Sequence, residues 1–233
     1  MTTALITGAN KGIGYEIARL LGQEGVTVLV GARDTARGEA AAERLGARFV
    51  QIDVTSPESV VAAAKQIGDE YGALDILVNN AGVALGAEPP SGTTVEVTRA
   101  VYETNVFGVI EVTNAMLPLL RRAPAARIVN VSSEVGSLTA AGDPDNSFYA
   151  LNMMAYQSSK AALNMITVCY AKEFRETPIK INACDPGYCA TDMNDHQGPR
   201  SAEEGARTAV RLSLLGADGP TGAFVGGEGS LPW

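Results

Sequence analysis

The chain has 233 residues, enough for a single domain with a substantial core; 46% of them are hydrophobic and 19% are charged. A net charge of −8 without any basic block argues against a nucleic-acid surface, and no apolar run is long enough to span a membrane. No signal peptide is recognisable and the three cysteines form no CxxC pair, so we expect reduced thiols and a cytoplasmic location. His196 is the single histidine, which excludes a multi-histidine metal site, and we predict no metal.

Short apolar runs alternate with longer amphipathic segments along the chain. The expected strands are residues 3–7, 26–30, 48–52, 76–79, 127–131 and 179–183, and the expected helices are residues 12–24, 36–45, 57–71, 94–120 and 156–176. Apolar strands separated by helices are typical of a parallel sheet covered on both faces. We therefore predict an α/β fold with a doubly wound parallel sheet (Rossmann fold), as one domain over residues 1–233. Prolines and glycines cluster at 86–92 and 216–229, which we interpret as surface connections.

A glycine-rich stretch, TGANKGIG, begins at the end of the first expected strand, at residues 7–14. At a strand-to-helix turn, free backbone N–H groups and the positive end of the helix attract a phosphate group. Gly8 would permit the tight turn, Gly12 the close approach of a pyrophosphate, and Gly14 the close packing of helix against strand. The spacing differs from GxGxxG and many glycine-rich turns bind nothing, but the position after the first strand favours a nucleotide site.

Three cations stand where the adenosine end of such a nucleotide would lie. Arg33 follows the second strand, Arg37 comes one helical turn later, and Lys11 lies within the glycine-rich turn. An acidic residue after this strand would bind the ribose hydroxyl of NAD, whereas an arginine would bind the additional phosphate of NADP. We therefore predict NADP(H); the alternative is that both arginines are solvated residues at a helix start. Asp34 is a competing ribose ligand, but it is better placed as the N-cap of the following helix.

The segment YQSSK, residues 156–160, contains a candidate acid–base pair. Tyr156 and Lys160 are four residues apart and therefore share one face of a helix. An ordinary tyrosine has a pKa of about 10, and a fixed ammonium group one turn away should lower that pKa. The pair would suit proton exchange between an alcohol and a carbonyl compound, although YxxxK also occurs by chance on solvated helix faces.

Other polar residues stand where strand ends would line a ligand crevice. Ser133 closes the stretch NVSS after the fifth strand and would bond a substrate carbonyl, unless it is only a turn or cap residue. The stretch NNAG at 79–82 ends the fourth strand, where the alternative is again a turn. Asn105 lies within an expected helix between apolar neighbours and needs a specific partner, unless it bonds locally to the backbone.

Together these motifs resemble the short-chain dehydrogenase/reductase family. TGANKGIG, NNAG, the serine pair, YQSSK and DPGYCAT at 185–191 occur in the order seen in that family, and the similarity extends from Thr3 to the C-terminus. GANKGIG, ARDTARG, INACDPG and the final LPW look most like the carbonyl-reductase branch. The resemblance implies reversible reduction of a small-molecule ketone or aldehyde by hydride from NADPH.

The resemblance also implies individual roles. Tyr156 would protonate the carbonyl oxygen, while Lys160 would lower the tyrosine pKa and bond the nicotinamide ribose. Ser133 would orient the substrate oxygen, and Asn105 would hold a water that relays protons through Lys160. Tyr149 is a rival acid, but the residue four positions later is a methionine rather than a lysine, so Tyr149 lacks an activator.

For the cofactor, the resemblance implies that Asp53 bonds the adenine amino group and that Asn80 lies beside the adenosine ribose. Cys189 and Thr191 fall where the family binds the nicotinamide carboxamide, although an aliphatic residue is usual in place of Cys189. Tyr188 stands where the branch often has tryptophan. The expected cofactor contacts are Gly8, Asn10, Lys11, Gly12, Ile13, Gly14, Arg33, Arg37, Asp53, Val54, Asn80, Ala81, Gly82, Tyr156, Lys160, Pro186, Gly187, Cys189 and Thr191.

Two alternative functions remain open at this point. The first is a narrow-specificity acyl or sterol ketoreductase, and the second is a non-catalytic NADP-binding redox sensor, a class that typically lacks the tyrosine or the lysine. The candidate lining of the substrate pocket is Met153, Met154, Tyr188, Met193 and Trp233.

The gap of 23 positions between Ser133 and Tyr156 is longer than is usual in the family. Carbonyl reductases that resemble this chain carry an insertion there, which covers the helices through which most relatives dimerise. The insertion here, at 142–154, is shorter than theirs, but its apolar second half should pack on those helices. We therefore expect a monomer.

Overall fold

The computed structural model describes residues 2–86 and 88–233 and is built around one eight-stranded sheet. The strands are β1 Thr3–Thr7, β2 Thr27–Ala32, β3 Arg48–Gln51, β4 Ile76–Asn79, β5 Arg127–Val131, β6 Lys180–Cys184, β7 Phe224–Gly226 and β8 Gly229–Ser230. They lie in the order β3-β2-β1-β4-β5-β6-β7-β8, and every pair is parallel except β7–β8. The strand order reverses between β1 and β4, which confirms the predicted doubly wound sheet.

Helices cover both faces of this sheet. They are α1 Gly12–Gln23, α2 Thr35–Leu45, α3 Pro57–Tyr71, α4 Val95–Tyr102, α5 Gly108–Leu120, α6 Leu138–Ala141, α7 Met154–Glu173 and α8 Ala202–Ser213. Buried residues such as Ile67 and Met116 join α3 and α5 to one face, and Leu21 and Leu212 join α1 and α8 to the other. Because both faces are covered, β1, β4 and β5 are buried along their whole length. Within the described ranges, no helix is long and apolar enough to cross a membrane.

The prediction of one uninterrupted helix over 94–120 was wrong. A π-helical turn, Glu103–Phe107, separates α4 from α5, and the backbone N–H of Gly108 donates to the Glu103 carbonyl. Gly108 also packs closely on the loop after β3, because a Cβ there would lie 2.9 Å from the carbonyl oxygen of Val54. One extra residue in one turn leaves the apolar pattern nearly unchanged, so the sequence did not reveal it.

The interpretation of 216–229 as a surface connection was also partly wrong. This stretch contains β7 and the start of β8, and Phe224 of β7 is fully buried. A three-residue strand is too short to show an alternating pattern. Helix α8 was not anticipated either, although Ser201 and Glu204 form a capping box at its start. In the other cluster, Pro90–Gly92 forms a 3-10 turn, and Ala87 lies outside the described residues.

The insertion at 142–154 is itself only partly buried. Leu151 is half-buried, as expected for an apolar segment packed on helices, but Tyr149 is 51% exposed. Phe107, before α5, and Met165, on α7, also remain exposed. The monomeric state therefore stays a prediction.

Candidate active site

The turn between β1 and α1 lies beside the switch point of the sheet. Gly8 and Gly12 have φ angles of 65° and 58°, which glycine adopts without strain. The Thr7 hydroxyl accepts hydrogen bonds from the backbone N–H groups of Asn80 and Ala81, at 3.0 and 3.1 Å. The Asn80 amide donates to the carbonyls of Thr7 and Gly8, at 2.9 and 3.2 Å. The NNAG segment therefore holds the glycine turn in place, a role that its sequence did not suggest.

Gly14 shows the close packing that the sequence suggested. It is buried, and a Cβ at this position would lie 2.6 Å from the Gly8 carbonyl oxygen and would collide with the Asn80 amide nitrogen. Asn10 and Ile13, the other predicted contacts of this turn, are half-buried. The turn is thus packed tightly on the β4 side.

The N-terminus of α1 differs from those of α2, α3 and α8. In the part of the chain that the structure describes, no side chain caps it at Lys11, whereas Asp34, Ser56 and Ser201 cap α2, α3 and α8. Asp34 accepts a hydrogen bond from the Arg37 N–H at 2.9 Å, which confirms its predicted place as an N-cap. The first N–H groups of α1 remain available to an anion.

The three predicted cations have different surroundings. Arg33 and Arg37 are exposed just beyond the carboxyl end of β2. Lys11 instead forms a 2.7 Å ion pair with Asp192, and both side chains are more than half exposed. The Lys11 ammonium holds the pKa of Asp192 below its usual value. The loop after β6 therefore supplies an anionic partner to Lys11, whereas the sequence suggested only the additional phosphate of NADP(H) as its partner.

Asp53 follows β3 and is half-exposed. Its Oδ1 accepts hydrogen bonds from the backbone N–H and the hydroxyl of Thr55, at 3.0 and 2.7 Å. Among the described residues Oδ2 has no hydrogen-bond partner, so it is the oxygen available for the predicted adenine contact. Val54 is half-buried beside Gly108.

Helix α7 brings Tyr156 and Lys160 to the carboxyl end of β5. The Lys160 ammonium donates to the Val131 carbonyl at 2.9 Å and lies 5.6 Å from the centre of the Tyr156 ring. Ser133 precedes a 3-10 turn, Glu134–Gly136, that packs on α7. Gly136 permits this approach, since a Cβ there would lie 2.6 Å from the Lys160 Cβ. The sequence analysis missed Gly136, although a glycine three residues after the serine pair was visible.

The pKa of Tyr156 and that of Lys160 are both shifted. Poor hydration raises the pKa of Tyr156 to about 12, and the nearby Ser133 hydroxyl opposes this rise only in part. The same cause lowers the pKa of Lys160 to about 8. The direction of the Tyr156 shift is opposite to the predicted lowering of the tyrosine pKa, because the loss of hydration is the largest effect on the hydroxyl. A tyrosine with a raised pKa keeps its proton at neutral pH.

Asn105 lies in the π-helical turn and is buried. Its Oδ1 accepts from the Val83 N–H at 2.9 Å, and its Nδ2 donates to the Val83 carbonyl at 2.9 Å and to the Ser159 hydroxyl at 3.0 Å. A Cβ on Gly82 would lie 3.4 Å from Asn105 Oδ1 and 3.7 Å from Lys160 Nζ. Both amide hydrogens of Asn105 are thus used within the protein, and Oδ1 already accepts one hydrogen bond, so the side chain could hold the predicted water only through the second lone pair of Oδ1.

The loop after β6 reaches across to the glycine turn. Gly187 has a φ of 75°, and the side chain of Arg200 packs on it. The Cys189 thiol is buried and donates to the Pro186 carbonyl at 3.3 Å. The Thr191 methyl lies 3.7 Å from where a Cβ on Gly12 would be. The predicted carboxamide-binding segment therefore faces the predicted phosphate turn.

Most of the predicted substrate lining is accessible. Tyr188 and Met193 are about half exposed, and Trp233 stacks on Phe224 with 5.4 Å between ring centres. The backbone carbonyl of Trp233 accepts a hydrogen bond from the hydroxyl of Thr139 at 3.0 Å. Met153 is half-buried and Met154 is exposed at the start of α7.

Asp185 is a second residue that the sequence analysis did not assign. It follows β6 directly and is only 7% exposed. Its carboxylate accepts hydrogen bonds from the backbone N–H groups of Glu134, at 2.9 Å, and Gly187, at 2.8 Å. An acidic residue directly after a buried strand was the available signal. No group of three His, Cys, Asp or Glu side chains that could bind a metal occurs in residues 2–86 and 88–233.

Comparison with known proteins agrees with this geometry. A family model described as short chain dehydrogenase matches residues 2–202. The short-chain dehydrogenase anuI of Penicillium roqueforti is 40% identical, covering 91% of this chain and 88% of its own. Carbonyl reductase (NADPH) 1 of Rattus norvegicus is 35% identical, covering 99% and 98%. That alignment spans 274 residues, more than this chain contains, so the rat protein has segments that this chain lacks.

A solved structure of NADPH-bound carbonyl reductase from chicken fatty liver is 30% identical and covers 100% of this chain and 99% of its own, with a TM-score of 0.88. The similarity therefore extends over the whole Rossmann fold and includes the segments that carry the glycine turn, the serine pair and the tyrosine–lysine pair. The chain belongs to the short-chain dehydrogenase/reductase family and is an oxidoreductase that acts on carbonyl or alcohol groups.

Proposed function

We propose that the protein reduces a ketone or aldehyde to the alcohol with NADPH, reversibly, and that Tyr156 is the proton donor. The observation that carries this proposal is the meeting of Tyr156, Ser133 and Lys160 at the carboxyl edge of the sheet. The Ser133 hydroxyl is close enough to Tyr156 to lower its pKa, so one substrate oxygen could contact both hydroxyls. This edge lies next to the switch point, where ligands of open α/β sheets bind.

The residues at the switch point fit NADP(H). Gly8 and Gly12 have no side chains that would keep a pyrophosphate away from the backbone. The first N–H groups of α1 have no side-chain cap and could donate hydrogen bonds to it. Arg33 and Arg37 are exposed beyond β2, where they would bind the additional phosphate. When bound, NADPH supplies the hydride. Two relatives whose names or descriptions include NADPH, from rat and chicken, support this cofactor.

The protein's own contribution is orientation and proton transfer. Tyr156 holds its proton at neutral pH, as an ordinary tyrosine with a pKa of about 10 also would, and poor hydration raises its pKa further, to about 12. As the proton passes to the substrate oxygen, the Lys160 ammonium stabilises the phenolate that remains. Ser133 orients the substrate oxygen through its hydroxyl. In the reverse direction the phenolate accepts the proton of the alcohol.

The accessible apolar side chains favour a medium-sized apolar carbonyl compound as substrate. Met193, Tyr188 and Trp233 are partly exposed, so they present apolar surface at the candidate pocket. No specific observation favours an acyl or sterol substrate. The presence of both Tyr156 and Lys160 argues against a non-catalytic sensor. We further propose that the protein is a cytoplasmic monomer.

The test measures the consumption of NADPH, through its absorbance, in the presence of a panel of ketones and aldehydes. It compares the wild-type protein with two matched variants. Tyr156→Phe removes one hydroxyl and should lower turnover by about 10²–10⁴-fold while NADPH binding persists. Tyr149→Phe removes the same group from the insertion and should leave turnover unchanged. Loss of turnover in Tyr149→Phe with retention in Tyr156→Phe would contradict the assignment, and an inactive wild-type protein would contradict the function.

A further inference from the structure

The carboxylate of Asp185 lies between the two loops that carry the proposed chemistry. One oxygen accepts from the N–H of Glu134, the residue directly after Ser133, and the other accepts from the N–H of Gly187. The first loop follows β5 and the second follows β6, so a single side chain connects two neighbouring strand ends. Charge-assisted hydrogen bonds of this kind are about twice as strong as neutral ones.

Charged and titratable side chains face Asp185 from several elements. They are Tyr156 and Lys160 on α7, Cys184 at the end of β6, Cys189 in the following loop, and Arg200 before α8. Burial raises the pKa of Asp185, while the two backbone hydrogen bonds, Arg200 and Lys160 oppose that rise. Arg200 packs on the loop itself, because a Cβ on Gly187 would lie 2.7 Å from its guanidinium. A buried carboxylate is costly unless hydrogen bonds and nearby positive charges compensate it, and this one accepts two backbone hydrogen bonds and lies in the field of Arg200 and Lys160.

We propose that Asp185 is a positioning residue of the active site, whose carboxylate fixes the Ser133 turn against the Pro186-Gly187 turn and whose charge acts on the tyrosine–lysine pair. This inference rests on the reductase function proposed above. Through the Glu134 N–H, Asp185 sets where the neighbouring Ser133 hydroxyl stands relative to Tyr156. Through its charge, it opposes loss of a proton from both Tyr156 and Lys160.

The decisive variant is Asp185→Asn, which keeps the shape, removes the charge and retains only one acceptor oxygen. We expect kcat for reduction to fall by about 10- to 100-fold, and the KM for NADPH to change by less than about fivefold, because misplacement of a catalytic group affects mainly the chemical step. Asp185→Ala removes both hydrogen bonds and should lower kcat further. The matched control is Asp75→Asn, since Asp75 accepts from the Thr3 N–H at 2.8 Å at the opposite end of the sheet; its kcat should equal that of the wild type.

A pH profile separates this role from a merely structural one. Removing a nearby negative charge makes both Tyr156 and Lys160 easier to deprotonate, so the alkaline limb of reduction should move by about half a pH unit or more to lower pH in Asp185→Asn. Asp75→Asn should leave the limb in place. An unmoved limb together with wild-type kcat in Asp185→Asn would overturn the proposal.

Backbone NMR decides the geometric claim even if the protein shows no reductase activity. In the wild-type protein, the amide protons of Glu134 and Gly187 should resonate downfield and move together as the pH is lowered and Asp185 gains its proton. In Asp185→Asn the amide protons of Glu134 and Gly187 should resonate upfield of their wild-type positions, and their chemical shifts should not change with pH. Amides that titrate independently in the wild type would overturn the positioning role. An inactive wild-type protein in which the two amides titrate together would refute only the reductase function.

Discussion

Gly14→Ala tests the packing of the glycine turn with a single methyl group. The new Cβ would stand 2.6 Å from the Gly8 carbonyl oxygen, well inside van der Waals contact, and would displace the Asn80 amide. Asn80 cannot swing away freely, because its amide donates to the carbonyls of Thr7 and Gly8. Either the backbone of the turn must shift or these two hydrogen bonds must lengthen or break.

The expected cost follows from these contacts. Overpacking a well-packed site costs about 1–3 kcal/mol, and weakening two hydrogen bonds adds about 1 kcal/mol each. The preference of a helix for alanine over glycine offsets about 1 kcal/mol of this destabilisation. The free energy of unfolding should therefore fall by about 2–4 kcal/mol, which lowers Tm by about 4–16 °C in a domain of this size.

The matched control is Gly22→Ala in the same helix. A Cβ there would meet only the Val28 side chain, at an ordinary 3.9 Å, so this variant should be stabilised by about 0.5–1 kcal/mol. Thermal and urea unfolding measure both changes, and a fluorescence titration with NADPH should show weaker binding for Gly14→Ala alone. Equal stability of Gly14→Ala and the wild type would refute the packing argument.

Two further predictions concern the cofactor and the pH dependence. Arg33→Ala should weaken NADPH binding about 10- to 100-fold and leave the affinity for NADH nearly unchanged, because a hydrogen bond to a charged group is worth about 1.5–3 kcal/mol. Equal losses of affinity in titrations of the two cofactors would exclude a contact between Arg33 and the additional phosphate. The kcat/KM for reduction should fall as pH rises through about 8, where Lys160 loses its charge, while oxidation of the alcohol should rise with pH because Tyr156 must then accept a proton. Initial rates in both directions measure this, and parallel profiles would contradict it.

Local patterns were enough to predict much of the fold. The apolar runs at β1, β4 and β5 have the predicted bounds, because strands covered on both faces must be apolar throughout. The N-cap at Asp34 was also predicted, since capping depends on residues three positions apart. The π-helical turn at 103–107 and the short strand β7 were not predicted, because packing against distant segments determines both.

Local spacings were enough to identify the candidate reactive groups: a glycine turn after the first strand, and Tyr156 and Lys160 on one helical face. These features depend on spacings of a few residues, which the chain's local geometry translates directly into proximity. The placement of these groups and the charges around them depend on the tertiary structure. It paired Lys11 with Asp192, 181 positions away, and brought Asp185 between two loops. It also reversed the expected direction of the Tyr156 pKa, because hydration is set by every element packed around a side chain, and no local spacing encodes that environment.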